Sequence, residues 1–333
     1  MKILIIQLYQ IGDVILTTPI PREIKKVYPN ATIHFLTTDM CYDIIKNNIY
    51  IDNILTITRT KNLLYMINTI KEIRWQKYDY ILDFQNNPRT MWINLFSNSP
   101  NRITYHYTKR KLAYNKFAYP NKTYAVDIKF SLLKYLDINN YNNKPEIFIT
   151  DKEIKTVTDY LKQNNIENYI TISPTHKKET RRWPLKYFIQ LAQYVYEHLN
   201  LKVIFTYAPN EYDYVKEIQK HSYFNKAFFF TPKINLLELA AFIKLAKFHV
   251  GNDSAPNHMA VAMNTPSFIV LGSTSEGWTY PSKTHAWVRK NLECQPCKKS
   301  KCKFGNSIPC LNNLTVDEIK PKFESFIEEV INV

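Results

Sequence analysis

The hydrophobic positions along this chain fall into two successive series of the same kind. In the first, apolar runs at Lys2–Leu8, Thr32–Thr37, Asn53–Ile57, Tyr78–Phe84 and Arg102–Tyr105 are short and rich in β-branched residues, as buried strands are. Between them, Thr18–Tyr28 and Leu63–Arg74 carry the 3.6-residue period of amphipathic helices. An asparagine-rich stretch, Asn139–Lys144, reads as a hinge before a helix over Lys152–Asn164. The pattern then restarts with strand Tyr169–Ser173, helix Pro184–His198, strand Lys202–Tyr207, helices Glu211–Lys220 and Leu236–Ala246, and strands Phe248–Val250 and Ser267–Leu271. Alternation of this kind predicts α/β architecture with parallel sheets covered on both faces. The restart predicts two doubly wound, Rossmann-like domains facing a central cleft, residues 1–150 and 151–333, with ligands at the carboxyl ends of the strands. A chain of 333 residues exceeds what one core usually supports, which agrees with two.

Composition sharpens this picture through glycine. The chain has five, and four of them are Gly12, Gly251, Gly272 and Gly277, at or just beyond predicted strand exits. Residues kept as glycine in so glycine-poor a chain mark backbone that needs positive φ or close approach by another group. At the second exit, Asp253 or Ser254 is a good N-cap, Pro256 suits the first helical turn, and apolar residues continue to Met263. Free amides of that turn, at Ser254 and Ala255, form a site for a diphosphate, with His258 able to add a hydrogen bond or charge; any well-capped helix of an α/β protein would read alike. Ser173, Thr175, Glu211 and Asp253 fall on the same edge. Arg181 and Arg182 offer bidentate cations there, or are ordinary surface arginines. Glu211 suits ribose hydroxyls, or caps its own turn. At the first exit Asp13, between Gly12 and Thr17, suits a general base that takes a proton from an acceptor hydroxyl, or merely caps the first helix.

Charge and cysteine add two more features. The net charge is +15, and its densest stretch, Arg102–Lys134, interleaves Lys109, Arg110 and Lys111 with tyrosines. This implies an anionic partner (nucleic acid, an acidic membrane surface or a phosphorylated acceptor) unless it is a solvated basic face. Cys294, Cys297, Cys302 and Cys310 crowd into one stretch, which suggests a zinc site of loose spacing or thiols used as small apolar groups. No apolar run approaches a membrane span and no export signal is evident, so a cytoplasmic location is expected. Gly-x-Gly-x-x-Gly, the P-loop, His-Glu-x-x-His and Gly-x-Ser-x-Gly are absent from the sequence, which disfavours nicotinamide enzymes, P-loop NTPases, zinc proteases of that type and serine hydrolases.

Taken in order, Gly12-Asp13-Val14-Ile15-Leu16-Thr17-Thr18-Pro19, Arg181-Arg182-Trp183-Pro184, Gly251 through Ala260, Asn264-Thr265-Pro266 and Leu271-Gly272-Ser273-Thr274 resemble glycosyltransferase family 9, the ADP-heptose lipopolysaccharide heptosyltransferases. The Cys294–Cys297 segment is similar to a stretch many members carry. The resemblance implies a GT-B fold and inverting transfer of heptose from ADP-heptose to the lipopolysaccharide inner core. It implies no obligatory cofactor and no metal. Asp13 corresponds to the catalytic base, Asp253, Ser254, Ala255 and His258 to donor contacts, and Glu211 to the ribose-binding acid. Ala255 stands where glycine is usual and Arg181 where lysine is frequent. The partners implied are the ADP-sugar and a phosphorylated lipid-linked oligosaccharide met at the cytoplasmic face of the inner membrane. The protein is expected to be a monomer that binds no nucleic acid, with its last helix returning to the first domain. Another nucleotide-hexose donor, or a non-catalytic sugar-nucleotide-binding module, remains the alternative.

Overall fold

The structure, a computed structural model, describes residues 1–58 and 62–331, the side chain of Ile331 excepted; the last two residues of the expected second domain lie outside the described residues. The chain forms two compact units, Met1–Phe148 and Ile149–Val333.

The first unit holds strands β1 (Lys2–Ile6), β2 (Thr32–Thr38), β3 (Asn53–Ile57), β4 (Tyr80–Asp83), β5 (Asn101–Tyr105) and β6 (Lys116–Ala118), in the order β3-β2-β1-β4-β5-β6. The second holds β7 (Tyr169–Ser173), β8 (Lys202–Phe205), β9 (Phe228–Phe230), β10 (His249–Asn252), β11 (Ser267–Val270) and β12 (His285–Val288), in the order β12-β11-β10-β7-β8-β9. Every pairing is parallel. Each sheet therefore starts at its centre, adds two strands on one side and then crosses to build three on the other. That reversal creates a crevice at the carboxyl ends of β1 and β4, and an equivalent one at β7 and β10. The central strands earn their place by composition: Ile3, Leu4, Ile5 and Ile6 are fully buried, as are Ile170 and Ile172. Their continuous apolar runs cannot face water on either side.

The edge strands β6, β9 and β12 escape the sequence pattern because each is three or four residues long and has one neighbour. Helix Pro88–Phe96 was equally unsignalled; it is set by Asn87, whose side-chain oxygen accepts from the Thr90 amide at 3.0 Å. The helix expected at Glu211–Lys220 is broken into a turn of 3₁₀ helix, an α-helical Tyr212–Val215 and a further 3₁₀ turn. Arg22 reaches the Asn142 carbonyl at 2.6 Å and the Glu146 carboxylate at 2.6 Å, which ties the asparagine-rich stretch to the first unit. Helix Val316–Ile331 places Phe323 and Phe326 in the second unit's core against Phe248 and Phe268.

Glycine scarcity has a structural answer. Left-handed backbone is carried by asparagine at Asn86, Asn98, Asn165, Asn200, Asn225, Asn264 and Asn291, while Gly305 is the positive-φ glycine among the described residues. Asparagine tolerates this region better than other side chains do. At Gly251 and Gly272 glycine is kept for another reason, close approach.

Candidate active site

In the second unit, the β7/β10 crevice is organised by Asn252, a fully buried residue at the end of β10. Its side-chain oxygen accepts from the Trp183 amide at 2.9 Å, and its nitrogen donates to the carbonyls of Pro174 at 3.1 Å and Thr175 at 3.3 Å. One amide side chain so fixes both loops that border the crevice, the one leaving β7 and the one bearing Arg181 and Arg182. Asn252 carries no motif of its own in the sequence; its signal is an asparagine at the end of a buried strand, which needs partners for every polar atom.

Two glycines bring these loops close. A Cβ on Gly272 would sit 2.2 Å from the Thr180 carbonyl oxygen, and one on Gly251 would meet the Ser173 carbonyl oxygen at 3.2 Å. The Ser273 amide donates to Thr180 at 2.9 Å, which holds the 179–182 turn against the exit of β11.

The two arginines on this turn diverge. Arg182 lies over the Tyr214 ring at 4.4 Å and faces Glu179 at 3.6 Å. Arg181 turns toward the crevice, 3.7 Å from the buried Asp253 carboxylate, and its Nε is buried without a hydrogen-bond partner. The Thr274 hydroxyl, beyond β11, is likewise buried and unpartnered. Buried donors of this kind are costly to leave unpaired and mark positions where a ligand completes the bonding. Ser254 stands at the N-cap position of helix Ala255–Ala262 without a capping hydrogen bond, its hydroxyl donating to the Asn252 carbonyl at 3.4 Å; Pro256 occupies the first turn, and His258 is buried in it. Ser173, at the end of β7, bonds to Thr206 through its hydroxyl, and Thr175 is engaged through its carbonyl. Glu211 accepts from the Ala208 amide at 3.0 Å and caps its own turn, with the rest of its carboxylate half-exposed. His176, missed in the sequence, is held neutral: burial first, then the nearby Arg181, pushes its pKa down to about 4.

The four clustered thiols border a cavity of about 290 Å³ that Thr180 and Ser273 also line. Thr180 donates to the Lys299 carbonyl at 2.9 Å and the Lys298 amide to Ser273 at 2.7 Å, so this loop braces the Arg181 turn from behind. All four cysteines are free. Among the described residues no three His, Cys, Asp or Glu side chains are grouped to hold a metal ion, so the zinc alternative finds no ligand set. Burial, then the neighbouring thiols, pushes Cys310 up to about 11.

In the first unit, Asp13 lies in the short helix Ile11–Ile15 that follows β1, half-buried, with Oδ2 3.4 Å from the Gln10 amide. That capping bond is at the limit of length and leaves the carboxylate available. Thr17 bonds to the Asp13 carbonyl at 2.7 Å, fixing the helical turn and giving its hydroxyl a structural partner. The corner is braced by side chains. Gln85 accepts from the amides of Leu8 and Tyr9 at 3.0 Å each, and Asn87 donates to the Tyr9 hydroxyl at 3.0 Å. Gln85 is placed in turn by Asp83, a fully buried carboxylate that accepts from the amides of Gln85 and Asn86 and from the Tyr114 hydroxyl. Thr108 bonds to Asn86 at 2.7 Å, which anchors the loop carrying Lys109, Arg110 and Lys111 to the same edge; Lys109 and Lys111 are exposed and Arg110 is half-buried.

Two further groups face Asp13. Lys129 is buried, donates to the Gln7 side chain at 2.8 Å, and interacts electrostatically with Asp13. Burial pushes its ammonium down to about 8, with Asp13 opposing the shift. Tyr105 is buried near Asp13 and stacks on Tyr107 at 5.1 Å. Neither carried a motif; a lysine between Ile128 and Phe130 in an apolar segment was the signal that could have marked one of them.

The model of the family described as glycosyltransferase family 9 (heptosyltransferase) matches residues 66–308, a span that begins after the first corner. Lipopolysaccharide heptosyltransferase 1 of Campylobacter coli is 25% identical over 291 residues, covering 82% of this chain and 84% of that protein. The structure of E. coli ADP-heptose lps heptosyltransferase II is similar with a TM-score of 0.80 at 17% identity, over 99% of both chains. That of E. coli heptosyltransferase WaaC with ADP-2-deoxy-2-fluoro heptose gives 0.72 at 15% identity, over 97% of this chain and 99% of that one. At such identities the structural likeness speaks for the fold, and the fold is GT-B.

Proposed function

Because the chain belongs to glycosyltransferase family 9, the heptosyltransferases, we propose that it moves a heptose from ADP-heptose to a hydroxyl of the lipopolysaccharide inner core, with inversion at the anomeric carbon. The curated relative is a lipopolysaccharide heptosyltransferase and a similar structure carries an ADP-heptose analogue, which supports this donor and acceptor. The second unit takes the donor and the first the acceptor. The observation that carries the reading is Arg181: a guanidinium with a buried, unpartnered Nε that lies 3.7 Å from Asp253, two residues before helix Ala255–Ala262.

The chemistry follows from those groups. The acceptor hydroxyl attacks the anomeric carbon as the bond to the diphosphate oxygen breaks, and its proton passes to the Asp13 carboxylate. Charge gathers on the departing ADP, where Arg181 and the amides at the start of helix Ala255–Ala262 meet it. Asp253, paired with Arg181, and His258 bound the sugar and phosphate side, and Glu211 the ribose. Lys129, buried beside Asp13, sets a positive charge at the first crevice. Lys109, Arg110 and Lys111 meet acceptor phosphates. The enzyme acts at the cytoplasmic face of the inner membrane, where a lipid-linked acceptor is presented.

A donor panel tests this. The protein is incubated with ADP-, UDP- and GDP-sugars and delipidated inner-core oligosaccharide, and the product is read by mass spectrometry. The expected result is a mass gain of one heptose with ADP-heptose alone. ADP-heptose binding without transfer would make the protein a sugar-nucleotide-binding module, and transfer from a UDP- or GDP-sugar would overturn the donor.

A further inference from the structure

Helices Leu63–Trp75 and Pro88–Phe96 lie side by side, and the turn at Lys111–Ala113 packs on the second. These three neighbours send part of their apolar surface into the core, through Thr69, Ile73, Ile93 and Ala113, and leave another part in water. Leu64 is 71% exposed, Trp92 47%, Phe96 47% and Leu112 93%. Trp92 and Phe96 stack with centroids 5.8 Å apart and planes 7° from parallel, so one rigid aromatic plate faces outward. Single exposed apolar residues are ordinary, but a run of them across touching elements marks an interaction site.

The charge around this face selects the partner. Lys71, Arg74, Lys109 and Lys111 are exposed on the same elements, and among the described residues Glu72 is the single acid on the two helices and the 106–113 loop. Leu112 stands at a loop tip with Lys109, Arg110 and Lys111 immediately before it. Aromatic and aliphatic tips between cationic shoulders match the boundary of an anionic bilayer, where indole rings sit at headgroup level and lysines meet lipid phosphates. No helix among the described residues is long and apolar enough to cross a membrane, so any contact made by these helices is with its surface.

We propose that this face of the first unit docks on an anionic phospholipid bilayer, with Trp92, Phe96 and Leu112 entering the headgroup boundary. The inference rests on the reading that the acceptor is lipid-linked. It adds the surface by which the enzyme meets it: the loop of Lys109–Lys111 is tied through Thr108 and Asn86 to the same strand edge that carries Asp13.

Vesicle sedimentation of the full chain tests it, with phosphatidylethanolamine–phosphatidylglycerol vesicles against phosphatidylcholine vesicles. The wild type should bind the anionic vesicles, with a blue shift of tryptophan emission, and be released by salt. The double variant Trp92→Ser/Phe96→Ser should bind roughly tenfold more weakly. Leu245→Ser, an exposed apolar residue of the second unit, should bind as the wild type does. Absence of wild-type binding at low salt, or undiminished binding by the double variant, overturns the proposal. So does sedimentation velocity showing a dimer that the double variant dissolves while vesicle binding persists. ADP calorimetry and transfer to the delipidated acceptor read the enzymatic proposal separately, and the double variant should keep both, with an unchanged Tm.

Discussion

The two units share one winding and differ in how they hold their crevices. In the second, backbone meets backbone: Gly272 lets the Thr180 carbonyl approach where no Cβ fits, and Asn252 stitches the two flanking loops. In the first, side-chain amides do the same work, Gln85 and Asn87 reaching from the end of β4 to the loop after β1. Their surfaces differ as well, since among the described residues fifteen of the eighteen large exposed apolar side chains belong to the first unit. A shared topology thus fixes where a site lies, while its chemistry is set by the few residues at each strand reversal. In the second these include an arginine whose buried Nε has no hydrogen-bond partner, and in the first a carboxylate with a buried lysine beside it.

The sharpest way to break the comparison is at Gly272. Gly272→Ala forces a Cβ against a backbone carbonyl that cannot step aside, and should cost about 3 kcal/mol of stability. A fall in Tm together with weakened ADP binding is expected. An unchanged Tm would show that the 179–182 turn is not held by close approach.

Less drastic is Arg181→Ala, which removes the guanidinium and leaves the glycine-held frame intact. ADP affinity by calorimetry should drop roughly tenfold, about 1.4 kcal/mol. Arg182→Ala, whose side chain is engaged by Tyr214 and Glu179, should change it by less, and equal losses would erase the distinction between the two.

That distinction marks the reach of the sequence. Alternating apolar runs disclosed both sheets, since central strands such as Lys2–Ile6 and Tyr169–Ser173 are buried on both faces and read continuously. Edge strands did not show, because three residues such as Lys116-Phe117-Ala118 carry no period. Gly12-Asp13 and the Asp253–His258 turn were legible as local motifs. Asn252, Gln85 and Lys129 were not, because their roles depend on partners far off in sequence: Lys129 meets Gln7, and Asn252 meets Pro174. Glycine was half legible, close approach being the correct reason and left-handed backbone having passed to asparagine.

The smallest effect sharpens the first crevice. The Lys129 ammonium is pushed down to about 8 by burial, below the ordinary lysine value of roughly 10.4 in an unfolded chain. Between those values the unfolded chain binds more protons than the folded one, so stability rises with pH across that window. Lys129→Met lacks this dependence. The Tm difference between the two proteins should move in favour of the wild type by a few degrees between about pH 8 and about pH 10; a constant difference would mean that the lysine is not buried as charged.

The division of labour between the units is tested most directly by Asp13→Asn, with turnover and ADP affinity measured on the same preparation. Turnover should fall by roughly 10²-fold or more, while the calorimetric Kd for ADP stays within about twofold of the wild type. Near-normal turnover, or an ADP affinity that collapses along with it, would contradict the assignment of proton removal to the first unit and diphosphate binding to the second.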